Sequence, residues 1–140
     1  DPHNLGAVIR TAECAGAHGV IIPKRRSVGL TAVVAKTSAG AVEYMPVAKV
    51  TNISAAIDML KSKGIWVVAT DMKGENYFKA DLSGPIAVVI GSEGSGVGRL
   101  VKEKCDFTVS IPMYGKISSL NASVAAGLVM YEVVRKRNFK

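Results

Sequence analysis

Cysteine, histidine and aromatic residues are all scarce in this chain, and each shortage removes a class of function. Two of its 140 residues are cysteines and two are histidines. Cys14 and Cys105 lie far apart, which does not describe a disulfide-stapled secreted domain. They are expected to be small core residues of a cytoplasmic protein kept reduced. His3 and His18 show no HxxxH spacing and have no CxxC motif beside them, so an ordinary zinc site would need several carboxylates gathered from elsewhere, and no metal is expected. Both are expected to be structural or solvent-facing. Aromatic residues make up 6%, too few for recognition by stacking on several rings. Apolar runs are short and broken by Gly, Lys or Pro, well under the roughly 18–20 residues of a membrane-spanning helix.

What the chain does have is apolar bulk and positive charge. Hydrophobic residues make up 49% and charged residues 21%, a composition that buries a core and excludes intrinsic disorder. The length suits one compact domain, for which about 100–200 residues is usual. Eighteen Lys and Arg against 11 Asp and Glu leave a net charge of +7, which favours a polyanionic partner, most often a nucleic acid. The chain opens on Asp1-Pro2 and enters a patterned segment at once, so a preceding segment is expected.

Apolar spacing predicts alternating helices and strands. Asn4 is placed to cap a helix carrying Leu5, Val8, Ile9 and Ala12 that stops at Gly16. A short strand over 19–23 follows, then a basic connection holding Lys24, Arg25 and Arg26, and a helix from Thr31 through Ser38. Residues 45–50 read as a strand, and a helix with Ile53, Ile57 and Leu60 ends at Gly64. Buried strands are expected over 65–69 and 86–90, with a polar loop over 70–83 between them. A short helix over 97–104, a strand over 107–111 and a long helix over 119–137 complete the chain. This order predicts an α/β domain with a parallel sheet covered by helices on both faces. Ligands of such sheets sit beyond the carboxyl ends of the strands, here after Ala69, Ile90 and Ile111.

Three polar stretches interrupt the apolar pattern. In Asn4-Leu5-Gly6-Ala7-Val8-Ile9-Arg10, the two polar ends are six positions apart, about 1.7 helical turns, and do not share a face. Asn4 is either a helix cap or a site residue acting from the mouth of the helix. Arg10 is either solvated or a clamp for a phosphate or carboxylate. The stretch from Gly91 to Gly98 is glycine-rich but fails GxGxxG, because position 99 is Arg, and lacks the GK[ST] that closes a Walker A loop. That counts against a nicotinamide-linked oxidoreductase. Glu93 at its centre would repel phosphate and suits a cationic or neutral ligand, although a tight turn alone would also use these glycines. In the third stretch, Ile111 to Ser123, Ser119 or Asn121 could cap the last helix. The Ala122, Ala125, Ala126 and Gly127 that follow allow close packing, either in the core or between subunits.

Taken together, NLGAVIR, IGSEGSGV and IPMYGKISSLNASVAAG resemble the three ordered motifs of the SpoU (TrmH-like) family of RNA ribose 2'-O-methyltransferases, in the SPOUT superfamily. The resemblance covers nearly the whole chain and is strongest to bacterial 23S ribosomal RNA guanosine 2'-O-methyltransferases. It implies a sheet whose carboxyl-terminal part threads a loop as a trefoil knot, a topology that general folding rules would not supply. It also implies a homodimer, no metal, and a small amino-terminal RNA-binding domain outside residues 1–140. The implied methyl donor is S-adenosylmethionine, contacted by Gly91, Ile111 and Leu120 with Thr70, Met113 and Ser118 beside them. Arg10, Asn4, Glu93, Ser119 and Asn121 are the implied catalytic set. A guanidinium is effectively never deprotonated in proteins, so Arg10 is expected to clamp the adjacent phosphate and stabilise a developing alkoxide while that phosphate or a water takes the proton. Lys24, Arg25, Arg26, Lys36 and Lys116 are candidate RNA contacts, whereas the basic end over 135–140 reads as a solvated tail. A transfer RNA methyltransferase of the same family, or a non-catalytic RNA-binding module, are the alternative readings.

Overall fold

The computed structural model describes residues 2–24, 31–91 and 96–138. Arg25, Arg26, Glu93 and Lys140 lie outside them. The chain divides into two compact units, Asp1–Ile53 and Ser54–Lys140.

In the first unit, helix α1 (Pro2–Ala15) leads to strand β1 (Val20–Pro23), helix α2 (Ala32–Thr37), a single 3-10 turn (Ala41–Glu43) and strand β2 (Val47–Val50). Pro2 takes a first-turn position, where its missing N–H costs nothing. That starts the helix before Asn4, which is therefore a helical residue and not the expected cap. The helix ends as predicted at Gly16, whose φ of 79° a side chain would resist. α2 begins at Thr31, which accepts a hydrogen bond from the Val34 amide at 3.4 Å. β1 and β2 pair in parallel from Val20 opposite Val47 to Pro23 opposite Val50. Ile9, Ala12, Ile22, Val34, Ala41 and Met45 are buried. α1 and α2 approach closely at Gly6, where a Cβ would fall 1.7 Å from Thr37 Oγ1. Cys14 is exposed on α1, against the expectation of a core residue, because it lies off the face that buries Ile9 and Ala12.

Helix α3 (Ile53–Ser62) begins at the last residue of the first unit, and the second unit continues with β3 (Trp66–Asn76), β4 (Ile86–Val89), α4 (Arg99–Lys104), β5 (Phe107–Ser110) and α5 (Ala122–Asn138). Its sheet is parallel, in the order β4-β3-β5. Among the described residues the strands thus form two parallel sheets where a single one was expected, since β1 and β2 pair only with each other.

The polar loop predicted over 70–83 is the main departure. β3 runs on to Asn76: after Thr70 pairs with Val109, residues 71–74 leave the ladder, and pairing resumes with Glu75 opposite the same Val109. Gly74 permits this return, because a Cβ there would lie 2.6 Å from the Val109 carbonyl carbon. Tyr77, Ala80 and Leu82 then turn inward and join Val68, Val109, Val129 and Val133 in one core cluster. Polar neighbours masked these three apolar anchors, which have no helical or strand period. Truncating the fully buried Leu82 to alanine is expected to cost about 2–5 kcal/mol of unfolding free energy, read from urea denaturation.

The long helix starts at Ala122 and not at Ser119. Asn121 holds its start, accepting from the Ser123 amide at 2.9 Å and the Val124 amide at 3.3 Å, while Ser119 lies in the irregular segment before it. The other end of α5 is not the solvated tail expected. Glu132 is buried and takes a two-pronged contact from Arg135, at 2.8 and 2.7 Å, with Lys136 3.6 Å away. Lys136 also donates to the carbonyls of Tyr77, Phe78 and Ala80, and Arg137 donates to the Gly84 carbonyl at 2.8 Å. These cations satisfy the connection between β3 and β4, which carries no helix of its own.

The Arg135 guanidinium, helped by its charge and that of Lys136, holds the Glu132 carboxyl below the ordinary carboxylate range against the opposing effect of burial. A carboxyl depressed on folding stabilises the fold above its unfolded value, about 4.3, and that contribution disappears as pH falls through the lower folded value. The stability gap between the wild type and Glu132→Gln is therefore expected to be widest near neutral pH and to narrow on acidification. Urea midpoints compared at neutral pH and at about pH 3 test this; a gap independent of pH would contradict it.

Candidate active site

Parallel register brings three of the sequence-predicted segments to one edge. Ala69 of β3 lies opposite Val89 of β4 and Thr108 of β5; Gly91 follows the end of β4, Ile111 follows the end of β5, and Thr70 is the last residue of β3 paired before the excursion over 71–74. The chain leaves β3 for β4 on one side and then crosses to β5 on the other. In open α/β sheets a ligand usually sits where the strand order reverses in this way.

Each segment is held by specific contacts. At Gly91 the loop closes on itself: a Cβ would lie 2.3 Å from the Gly96 carbonyl carbon and 2.4 Å from the Val97 amide nitrogen, and Gly96 has φ 67°. Gly98 precedes α4, whose Lys102 reaches across to Asp71 at 2.8 Å. That hydrogen bond, followed by the Lys73 amide and the lysine charge, holds the Asp71 carboxyl below its usual range. Ser110 donates its hydroxyl to the Gly74 carbonyl at 2.8 Å, fastening the end of β5 to the excursion in β3. Sequence reading missed both ties, because Asp71 and Gly74 sit in the stretch it took for a loop.

Beyond Ser110 the chain has no regular structure until α5. Ile111 packs its side chain against the core cluster. Among the described residues, no hydrogen bond engages the backbone of 112–120. Met113 and Leu120 are 40% and 38% exposed, and Ser118 and Ser119 are also open to solvent. Asn121 spends its side-chain oxygen on the helix start. In the first unit, Arg10 is exposed on α1 with no hydrogen bond or ion pair among the described residues, whereas Asn4 is half-buried. The helix keeps the two on different faces, as their spacing requires.

The family model described as SpoU rRNA Methylase matches residues 1–131. The chain belongs to the SpoU family. YacO of Bacillus subtilis, assigned to the TrmH family of tRNA/rRNA methyltransferases, is 62% identical over 139 residues, 99% of this chain and 56% of that protein. The SpoU methyltransferase AviRb of Streptomyces viridochromogenes, solved with the cofactor AdoMet, superposes with a TM-score of 0.91 at 34% identity, over 98% of this chain and 56% of AviRb. An AdoMet-bound rRNA methyltransferase of Sinorhizobium meliloti gives 0.89 at 30% identity, over 100% of this chain and 54% of that one. This SpoU chain thus spans a little over half the length of each of these three relatives.

The residues at the strand ends fit S-adenosylmethionine, the methyl donor of SpoU enzymes. A backbone cradle at Gly91 that tolerates no Cβ, unspent peptide groups over 112–120 and uncovered Met113 and Leu120 suit a flat adenine that is read by backbone groups and held between apolar walls. Among the described residues no His, Cys, Asp or Glu cluster could hold a metal ion.

Proposed function

We propose that residues 1–140 are the catalytic domain of an S-adenosylmethionine-dependent methyltransferase that modifies the 2'-hydroxyl of a guanosine ribose in 23S ribosomal RNA. The observation that carries this reading is the tight turn at Gly91 after β4, together with the backbone over 112–120 after β5, which has no partner among the described residues. When bound, the donor supplies a methyl on a positively charged sulfur that leaves as a neutral thioether, so the protein needs alignment and a proton route more than a Lewis acid. Gly91, Ile111 and Leu120 hold the donor, with Thr70, Met113 and Ser118 beside them. Arg10 clamps the phosphate next to the reacting ribose and stabilises the oxygen as its proton passes to that phosphate or to water. Asn4 orients Arg10 or the ribose, Glu93 holds Arg10 or the substrate, and Ser119 and Asn121 shape the pocket.

The same reading includes a cytoplasmic homodimer and a carboxyl-terminal trefoil knot. Val124, Leu128 and Tyr131, exposed at helical spacing on α5, support a subunit contact. Lys24, Lys36 and Lys116 supply exposed charge for RNA. Transfer RNA is the second reading, favoured by the tRNA/rRNA assignment of YacO. Full-length protein incubated with labelled donor and either 23S ribosomal RNA or bulk transfer RNA, followed by nucleoside analysis, separates the two. 2'-O-Methylguanosine in the ribosomal RNA alone supports the first. Label in transfer RNA alone selects the second, and a folded protein that binds no donor overturns both.

A further inference from the structure

A cleft of about 180 Å³ lies in the first unit, and none of the residues assigned to the methyl donor lines it. Arg10, Glu13 and Cys14 of α1 form one wall, and Ser38, Ala39 and Tyr44 form part of the other. Three observations show that the second wall is built. Ser38 is fully buried, its amide bonded to the Val34 carbonyl at 2.9 Å and its hydroxyl to the Ala35 carbonyl at 3.0 Å. Ala39 follows with φ 53°, a left-handed conformation that non-glycine residues seldom adopt. Gly40 repeats the sign with φ 84°, and the 3-10 turn then delivers Tyr44, which is 79% exposed. Strain of this kind persists where surrounding structure imposes it, and it clusters at functional positions.

A large, open tyrosine ring is an expensive thing to leave in water, and here it shares a cleft with an exposed guanidinium that has no partner among the described residues. A flat aromatic platform beside a free cation matches a nucleotide, with base on ring and phosphate on guanidinium. Glu13, one turn on from Arg10, adds a carboxylate that repels phosphate from its side and can accept from the amino group of a base.

We propose that this cleft is a subsite for a nucleotide flanking the methylated one, with Tyr44 as its stacking platform. The inference rests on RNA being the substrate and adds to that reading a positioning residue outside the three motifs. By holding the neighbouring base, Tyr44 sets the register of the strand against Arg10.

Fluorescence anisotropy of the full-length protein with a short single-stranded oligoadenylate, and with the same oligomer carrying abasic riboses, tests it. Wild type and Tyr44→Phe are expected to prefer the oligomer with bases by about 5- to 150-fold, the range of one base–aromatic stack. Tyr44→Ala is expected to bind both alike while keeping its affinity for S-adenosylmethionine. An unchanged preference in Tyr44→Ala overturns the stacking role, as does a change in its solution mass, which would make Tyr44 a subunit contact. Failure of the wild type to methylate any RNA would instead remove the underlying reading, so the two failures are separable.

Discussion

Arg10→Ala is expected to lower methyl transfer to RNA by about two to three orders of magnitude, the usual effect of removing a preorganised donor from a developing oxyanion. The Arg10 side chain is solvent-exposed and makes no hydrogen bond or ion pair among the described residues, so its loss should shift stability by no more than about 0.5 kcal/mol. Arg10 is not among the groups assigned to the methyl donor, so donor affinity is expected to hold. Single-turnover rates beside calorimetric titration with S-adenosylmethionine give both quantities. Arg10→Lys separates two accounts of the residue. A lysine keeps the charge but loses the planar fork that grips a phosphate through two hydrogen bonds, and it should recover little of the rate. Near wild-type turnover in Arg10→Lys would show that charge alone suffices.

The second large effect is expected at Gly91. An alanine there places its Cβ 2.3 Å from the Gly96 carbonyl carbon and 2.4 Å from the Val97 nitrogen, and backbone atoms cannot swing aside as a flexible side chain would. The loop must open. At about 1–3 kcal/mol for such overpacking, affinity for S-adenosylmethionine should fall roughly 5- to 150-fold. Gly98→Ala is the matched control: a Cβ at that position meets nothing within 4 Å, and its φ of −59° suits any residue. Equal donor binding by the two variants would mean that the shape of the loop does not govern the cofactor site.

These two residues illustrate how unevenly the chain advertises itself. Arg10 is legible because a lone guanidinium within an apolar helical pattern needs a reason. Gly91 is legible because it ends an apolar strand and opens a glycine run. Asn121 was legible as a helix cap, and its side chain does make those bonds. The stretch over 70–83 was illegible. Its strand pairs, breaks and pairs again with one partner, an event written in the position of Val109 on another strand and not in local periodicity. The basic carboxyl end misled for a related reason. Charges near a terminus normally reach solvent, but here a buried Glu132 and the orphan carbonyls of a helix-free connection recruit Arg135, Lys136 and Arg137.

Residue order and type alone established the alternating helices and strands, the parallel class of the sheets, the membership of the SpoU family and the candidate residues, because these depend on spacing within short windows and on motifs that stay together in sequence. The tertiary structure alone decided which strand ends lie side by side, that residues 71–74 are pinned to α4 and β5, that Glu132 anchors a basic helix end, and that Tyr44 shares a cleft with Arg10. Each of those depends on contacts between residues tens of positions apart, whose energies come from burial and from backbone groups that must find partners, and no local pattern carries that information.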